Sequence, residues 1–171
     1  MNENEFVIRN YGKWSQKDVP HKGWTCIDIE DTGEPNSLCE MCEAQHIRYI
    51  HYMRHPNYKN ILGVGCICAG HMEENITYAK KRDDFMKSRS GKKKRWIEHR
   101  SWKISEKGNE WIKSDGYIIV MKCNNGYWSA LIKSENGNFE KWSQRKYESV
   151  NQAKLAAFDF VTKLLADDET S

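Results

Sequence analysis

Cys39 and Cys42 stand two residues apart, and Cys66, Cys68 and His71 follow in a second short segment. Zinc takes four thiolate or imidazole donors in a tetrahedron, and a CxxC or CxxH pair supplies two of them from one tight turn. Cys39-Glu40-Met41-Cys42 is one such pair, and Cys68-Ala69-Gly70-His71 is the other. Cys66 and Cys68, one residue apart, would point to opposite sides of an extended segment and chelate less naturally. The expected ligands are therefore Cys39, Cys42, Cys68 and His71, with Cys66 in reserve. The expected cofactor is one structural zinc ion, because four protein donors leave no open position for a substrate. No HExxH or His-x-Glu accompanies them, and no GxSxG, P-loop or dinucleotide fingerprint occurs elsewhere. Catalysis is not the expected role. Cys26 and Cys123 stand alone and read as small buried hydrophobes.

The second chemical feature is charge. Residues 80 to 100 hold ten Lys or Arg against three Asp or Glu, while the remainder of the chain is net acidic. A block of this kind is an electrostatic footprint for phosphate backbones. The expected nucleic-acid contacts are Lys80, Lys81, Lys92, Lys93, Lys94, Arg95 and Arg100. Trp96, with Trp102 near it, would be available to stack on exposed bases. The partner would be DNA or RNA. The alternative is a protein partner, with Trp14, Trp24, Trp111, Trp128 and Trp142 as interface anchors of a small inhibitor or adaptor. Salt separates the two, since phosphate contacts weaken steeply as salt rises and an apolar interface does not.

The 171 residues suit one domain or two small ones. An apolar fraction of 39% with seven Trp, eight Tyr and five Phe argues for packed cores rather than disorder. No apolar run approaches the roughly 20 residues of a membrane span, and the start Met-Asn-Glu-Asn-Glu lacks a secretory pattern. A cytoplasmic location is expected, where close cysteines point to metal rather than disulfides.

An α+β fold is expected from the pattern of elements. Residues 1–36 read as an extended lead-in with short strands at Phe6–Ile8 and Cys26–Ile29. Residues 37–87 read as the zinc module. Its two cysteine segments are joined by a hairpin with strands near 47–52 and 61–64 and a turn at His55-Pro56-Asn57. His46, His51 and His55 on that hairpin read as surface residues. A helix is expected from Met72, with Ile76, Ala79, Asp83 and Met86 on one stripe. Residues 88–100 read as a basic linker, broken at Ser88–Lys94. Residues 101–171 read as a sheet with its main strands at Tyr117–Lys122, Tyr127–Lys133 and Phe139–Trp142. Asn124-Asn125-Gly126 supplies a hairpin turn, and a closing helix over 150–165 is capped by Ser149 and Gln152. The sheet strands are apolar at successive positions, which suits a sheet buried on both sides, against the helix and against the zinc module or a partner chain.

Residues 37–87, with a CxxC knuckle, a hairpin and a CxxH at a helix start, resemble a treble-clef zinc finger. Ile47-Arg48-Tyr49 and Val64-Gly65-Cys66-Ile67-Cys68 are also similar to small zinc-binding modules of uncharacterised bacterial and phage proteins. A phage-like origin would suit an anti-defence inhibitor. Treble clefs also form the core of His-Me finger nucleases, and His51 or His55 with Asn75 could be cast in those roles. The expected Asp-His or His-His pair is absent, so the nuclease reading ranks behind the others. Residues 114–166 resemble the three-strand-plus-helix DNA-binding domain of ethylene-response factors and recombinase arms. Lys122, Lys133, Lys141, Arg145 and Lys146 are the cations this resemblance would place near DNA.

Overall fold

The structure, a computed structural model, describes residues 9–98, 101–143 and 145–168. The strand expected at Phe6–Ile8 and the proposed contact Arg100 lie outside them. The fold is α+β, and the chain divides into two compact units, Met1–Ser90 with Thr162–Ser171, and Gly91–Val161. Among the described residues, no helix is long and apolar enough to cross a membrane.

The first unit is built on an antiparallel sheet of β1 (Thr25–Asp31), β4 (Tyr49–His55) and β5 (Tyr58–Val64), with β4 in the centre. The β4–β5 hairpin lies where the two cysteine segments require it, turning at Pro56-Asn57. β1 comes from the supposed lead-in. It pairs with β4 from Thr25 opposite Arg54 to Asp31 opposite Tyr49, so residues before Ser37 belong to the sheet. β2 (Ser37–Leu38) and β3 (His46–Ile47) form a two-residue ladder, and the first cysteine pair occupies the turn between them. Two helices replace the single one expected. α1 (Cys66–Met72) begins after Gly65, and α2 (Ile76–Lys94) follows a break at Glu73–Asn75. Glu74 takes a φ of 58°, and the Asn75 side chain accepts the Tyr78 N–H at 3.0 Å, which caps α2.

α2 runs straight through the segment expected to be a linker. Gly91 costs a helix only about 1 kcal/mol, and Lys92, Lys93 and Lys94 in the last turn suit the negative end of the helix dipole. Toward the sheet, α2 buries Ala79 and Met86 together with Arg82 and Asp83. Ile76, placed on the same stripe by spacing, is exposed. The apolar core of this unit gathers Trp14, Trp24, Ile29, Met53, Val64 and Met72 around the cysteines.

Within that core lies a polar network. The Arg82 guanidinium, wholly buried, donates to both Glu73 oxygens at 3.1 and 2.5 Å, and its Nε donates to His51 Nδ1 at 3.2 Å. The far His51 nitrogen lies 3.1 Å from Asp83. Arg82 thus fixes the tautomer, since its N–H requires a bare Nδ1 and leaves the proton on Nε2, facing the carboxylate. Burial, the dominant cause, lowers the His51 pKa. His51 was expected at the surface. Its position on the central strand, opposite Ile29 and Val64, buries it instead.

The second unit holds an antiparallel meander of β6 (Lys103–Ile104), β7 (Glu110–Ser114), β8 (Tyr117–Asn124), β9 (Tyr127–Ser134) and β10 (Glu140–Trp142). The sheet therefore has five strands, with β6 and β7 preceding the three main strands expected. Asn125-Gly126, both at positive φ, make the turn that Asn-Gly predicts. α3 (Val150–Asp168) starts at the predicted cap, where Ser149 accepts the Gln152 N–H at 3.2 Å. One sheet face, carrying Ile112, Ile119, Met121, Ala130 and Ile132, is buried, as are Ala153, Ala157 and Phe158 of α3. Lys141 over the Phe160 ring and Glu110 paired with Lys154 confirm which face α3 covers.

Arg82→Ala removes the donor of both Glu73 and His51 while leaving them buried. A loss of about 3 kcal/mol or more in urea unfolding is expected, with little rescue by Lys, which cannot form the same fork. A loss under about 1 kcal/mol would show that the network is not what holds α2 to the sheet.

Candidate metal centre

The sulfurs of Cys39, Cys42 and Cys68 all lie within 4.8 Å of one another, and all three residues are buried. In a tetrahedral zinc–thiolate site, bonds of about 2.3 Å place sulfurs roughly 3.8 Å apart. The spacing and the donor chemistry fit a thiophilic metal ion.

Two elements position the three sulfurs. Cys39 and Cys42 sit in the knuckle between β2 and β3, closed by Glu43 N–H to Cys39 O at 2.8 Å and Cys39 N–H to Gln45 O at 2.8 Å. The Glu40 carboxylate accepts the Gly63 N–H at 2.7 Å, and the Glu40 N–H donates to Gly63 O at 2.9 Å, which fastens the knuckle to β5. Cys68 comes from the first turns of α1. Backbone amides converge on the sulfurs, that of Cys42 in the knuckle and that of Gly65 at the start of α1 on Cys39, and those of Ala44 and Gln45 on Cys42. The Trp14 indole donates to the Cys68 sulfur at 3.3 Å.

These donors make the site favourable to negative sulfur, yet three thiols this close share their charge. Hydrogen bonds first from Cys39 and then from Cys68 push the Cys42 thiol down to about 2. The Cys39 thiol is raised, first by its bond to Cys42, and that of Cys68 is raised further by its bonds to Cys39 and Cys42. Charge on one sulfur opposes charge on its neighbours. A cation is what would let all three ionise.

The two remaining candidates lie apart from this trio. Cys66 sits nearer Asp83 and Lys87, and burial, the main cause, raises its thiol to about 11. His71 lies one turn beyond Cys68 on α1. Its Nε2 is buried, and its side chain lines a depression with Arg9, His21, Lys22 and Glu74. Of the solitary cysteines, Cys26 is buried as expected, but Cys123 is exposed at the end of β8.

Gly12 and Trp14 belong to the centre but carry no ligand signature. The backbone of the 3-10 turn Gly12–Ser15 passes against the knuckle, with Lys13 N–H donating to Met41 O at 2.8 Å. At Gly12, φ is 62° and a Cβ would lie 2.7 Å from the Cys42 carbonyl carbon and oxygen. An unexplained Gly-x-Trp upstream of the CxxC was the only trace of this in the sequence.

The residues that a nuclease would need are otherwise engaged. His51 is enclosed in the Arg82 network. His55 Nδ1 accepts the Asn57 N–H at 3.0 Å beside Trp24, and Asn75 caps α2.

The basic stretch is divided by the fold. Lys92 pairs with Asp115 at 3.2 Å, and Lys93 pairs with Asp159 at 2.6 Å in a nearly buried bridge. Trp96 is 1% exposed, packs on Phe158 and donates its indole N–H to Lys154 O at 2.8 Å. It cannot stack on a base, which corrects that expectation. Lys80, Lys94 and Arg95 are exposed, and Lys81 is half-buried.

No family model, curated protein or solved structure matches this chain.

Gly12→Ala should destabilise the first unit by about 2 kcal/mol or more and weaken metal retention, because the new Cβ meets knuckle backbone that cannot yield. Gly33, at a φ of 88° with nothing within 4 Å, provides the contrast. Gly33→Ala should cost only the backbone penalty of about 1 kcal/mol. Equal thermal shifts for the two variants would exclude a knuckle-specific role for Gly12.

Proposed function

We propose that the chain is a zinc-stabilised, non-enzymatic nucleic-acid-binding protein. The carrying observation is the trio of buried sulfurs at metal-binding separation. Zinc suits this donor set because it accepts thiolate and imidazole equally and needs no redox chemistry. Cys39, Cys42 and Cys68 would hold the ion. His71 is the fourth donor in this reading, three residues from Cys68 in the same helix, with Cys66 the reserve. Bound zinc supplies the positive charge that allows the sulfurs to ionise together, and in small sites of this kind binding energy is folding energy.

Purified protein should carry one zinc per chain by elemental analysis. Cys39→Ser, Cys42→Ser or Cys68→Ser should abolish it and unfold the first unit, while Cys66→Ser keeps it and His71→Ala lowers affinity. Full zinc retention by Cys39→Ser would refute the centre. Loss of zinc in Cys66→Ser with retention in His71→Ala would transfer the fourth position to Cys66.

The nucleic-acid part rests on the cations that α2 leaves to solvent, Lys80 and Lys94, and on Arg95 beyond its end. Lys92 and Lys93 already have acidic partners and contribute less. Fluorescence anisotropy with labelled DNA and RNA across a salt series should give affinity that falls steeply with salt. Replacing Lys80, Lys94 and Arg95 with Gln should weaken binding without changing the thermal midpoint. Salt-independent capture of a protein instead would favour the adaptor reading.

A further inference from the structure

The register of the second sheet places one residue from each strand in a single row on the face away from α3. Lys103 lies opposite Trp111, Trp111 opposite Val120, Val120 opposite Leu131, and Leu131 opposite Trp142. Directly paired residues share a face, so these five side chains cross the whole sheet side by side. The adjoining row on the same face is Lys113, Ile118, Lys133 and Glu140, and on the other side lies Lys122 opposite Ser129. Trp142 is 50% exposed, and Trp111, Val120 and Ile118 are half-buried. Leu131, in the middle of the row, is buried, so this face is open toward Lys103 and Trp142 and closed between them.

The seven tryptophans fall into two groups by the fate of the indole N–H. Those of Trp14, Trp24, Trp96 and Trp102 donate to Cys68 Sγ, Pro20 O, Lys154 O and Trp96 O. These are core residues with satisfied polar edges. Among the described residues, Trp111, Trp128 and Trp142 make no such bond, and Trp128 is on the α3 side of the sheet while Trp111 and Trp142 share the other face. Core packing does not explain two indoles set in line on that face.

We propose that this face binds a single-stranded polynucleotide, with Trp111 and Trp142 stacking on unpaired bases. The lysines that flank the row, Lys103, Lys113, Lys122 and Lys133, would pair with its phosphates. Glu140 is the only acid in the rows, so the face carries a clear positive excess. Strand spacing of about 4.8 Å puts the two indoles roughly 14 Å apart across three strand intervals, with apolar Val120 and Leu131 between them. Next to Trp111, a depression lined by Glu106, Lys107, Asn109, Val120 and Lys122 gives room for a base. Lys103 now rests its ammonium over the Trp111 ring at 5.2 Å, and a stacked base would displace it toward a phosphate. Rings that stack on any base and lysines that meet any phosphate predict little sequence preference. The cations of α2 play no part in this inference.

The test uses the full, zinc-loaded chain with labelled oligo(dT), oligo(U) and a DNA duplex of equal length. Single strands should bind more tightly than duplex and quench tryptophan fluorescence. Four lysine–phosphate contacts give a slope of log K against log salt near −3. Trp111→Ala and Trp142→Ala should each weaken single-strand binding by about tenfold or more. Replacing Lys17 and Lys59, exposed lysines of the first unit, with Gln should leave that binding within about twofold. Should a tryptophan variant fail to fold, replacing the exposed Lys103 and Lys113 and the half-buried Lys133 with Gln should flatten the slope by about 2. Equal or tighter duplex binding, indifference to both sets of sheet variants, or loss confined to the α2 variant would overturn the proposal, and the last result would uphold the α2 surface instead. Salt-insensitive protein capture through the tryptophans, or no binding at low salt, would overturn it too.

Discussion

Sulfur atoms from residues 39, 42 and 68 converge within 4.8 Å in a core that excludes water, and such a cluster cannot hold three negative charges alone. Most of the first unit can be understood as the apparatus that brings them there. The β2–β3 ladder exists to make the knuckle turn, the β4–β5 hairpin covers the 25 residues between Cys42 and Cys68, and Gly65 starts the helix that carries the third sulfur. Gly12 lets the amino-terminal turn lie against the knuckle, and Trp14 from that turn closes the site with its indole on Cys68. A unit of about 100 residues with a two-residue ladder has a modest apolar core. An ion held by these sulfurs would couple binding to folding and add order beyond that of the regular structure.

The Arg82 network is the second constraint, and it has a different character. An arginine buried beside Glu73, His51 and Asp83 adds specificity more than net stability, because the desolvation of its charge offsets much of its attraction to Glu73. Its fork reaches Glu73, before the break that separates α1 from α2, and His51 on the central strand. It therefore fixes where α2 lies against the sheet. An apolar contact at the same place would tolerate a slip along the helix, whereas three directed hydrogen bonds do not.

Local features were the ones legible in the sequence. The CxxC, the hairpin between the cysteine segments, the Asn-Gly turn and the Ser149–Gln152 cap each depend on residues within a few positions of one another, and each stands where it was expected. What could not be read depends on partners far along the chain. Ser88–Lys94 has the composition of a linker, but Lys92 and Lys93 meet Asp115 and Asp159, which no local pattern announces. Trp96 beside a lysine run resembles a stacking residue until Phe158 and Lys154 enclose it. His51 has an ordinary surface composition around it, and only the pairing of β4 between two strands buries it. β1 escaped notice as part of the module because strand partners 20 residues apart leave no trace in periodicity.

The same limit explains the second sheet. Tyr117–Met121 and Ala130–Ile132 are apolar at consecutive positions, and a continuous apolar run ordinarily marks a strand buried on both faces. The register divides the run differently. Ile112, Ile119 and Ile132 share the face toward α3, while Trp111, Val120, Leu131 and Trp142 share the other. Large apolar residues on that second face stabilise nothing on the α3 side, and a meander needs only one covered face to fold. Leu131 is nevertheless buried on that face and Trp111 and Val120 are half-buried, while Trp142 stays half exposed. Two tryptophans in register with a border of lysines are the feature of this face that the α3-side core does not account for.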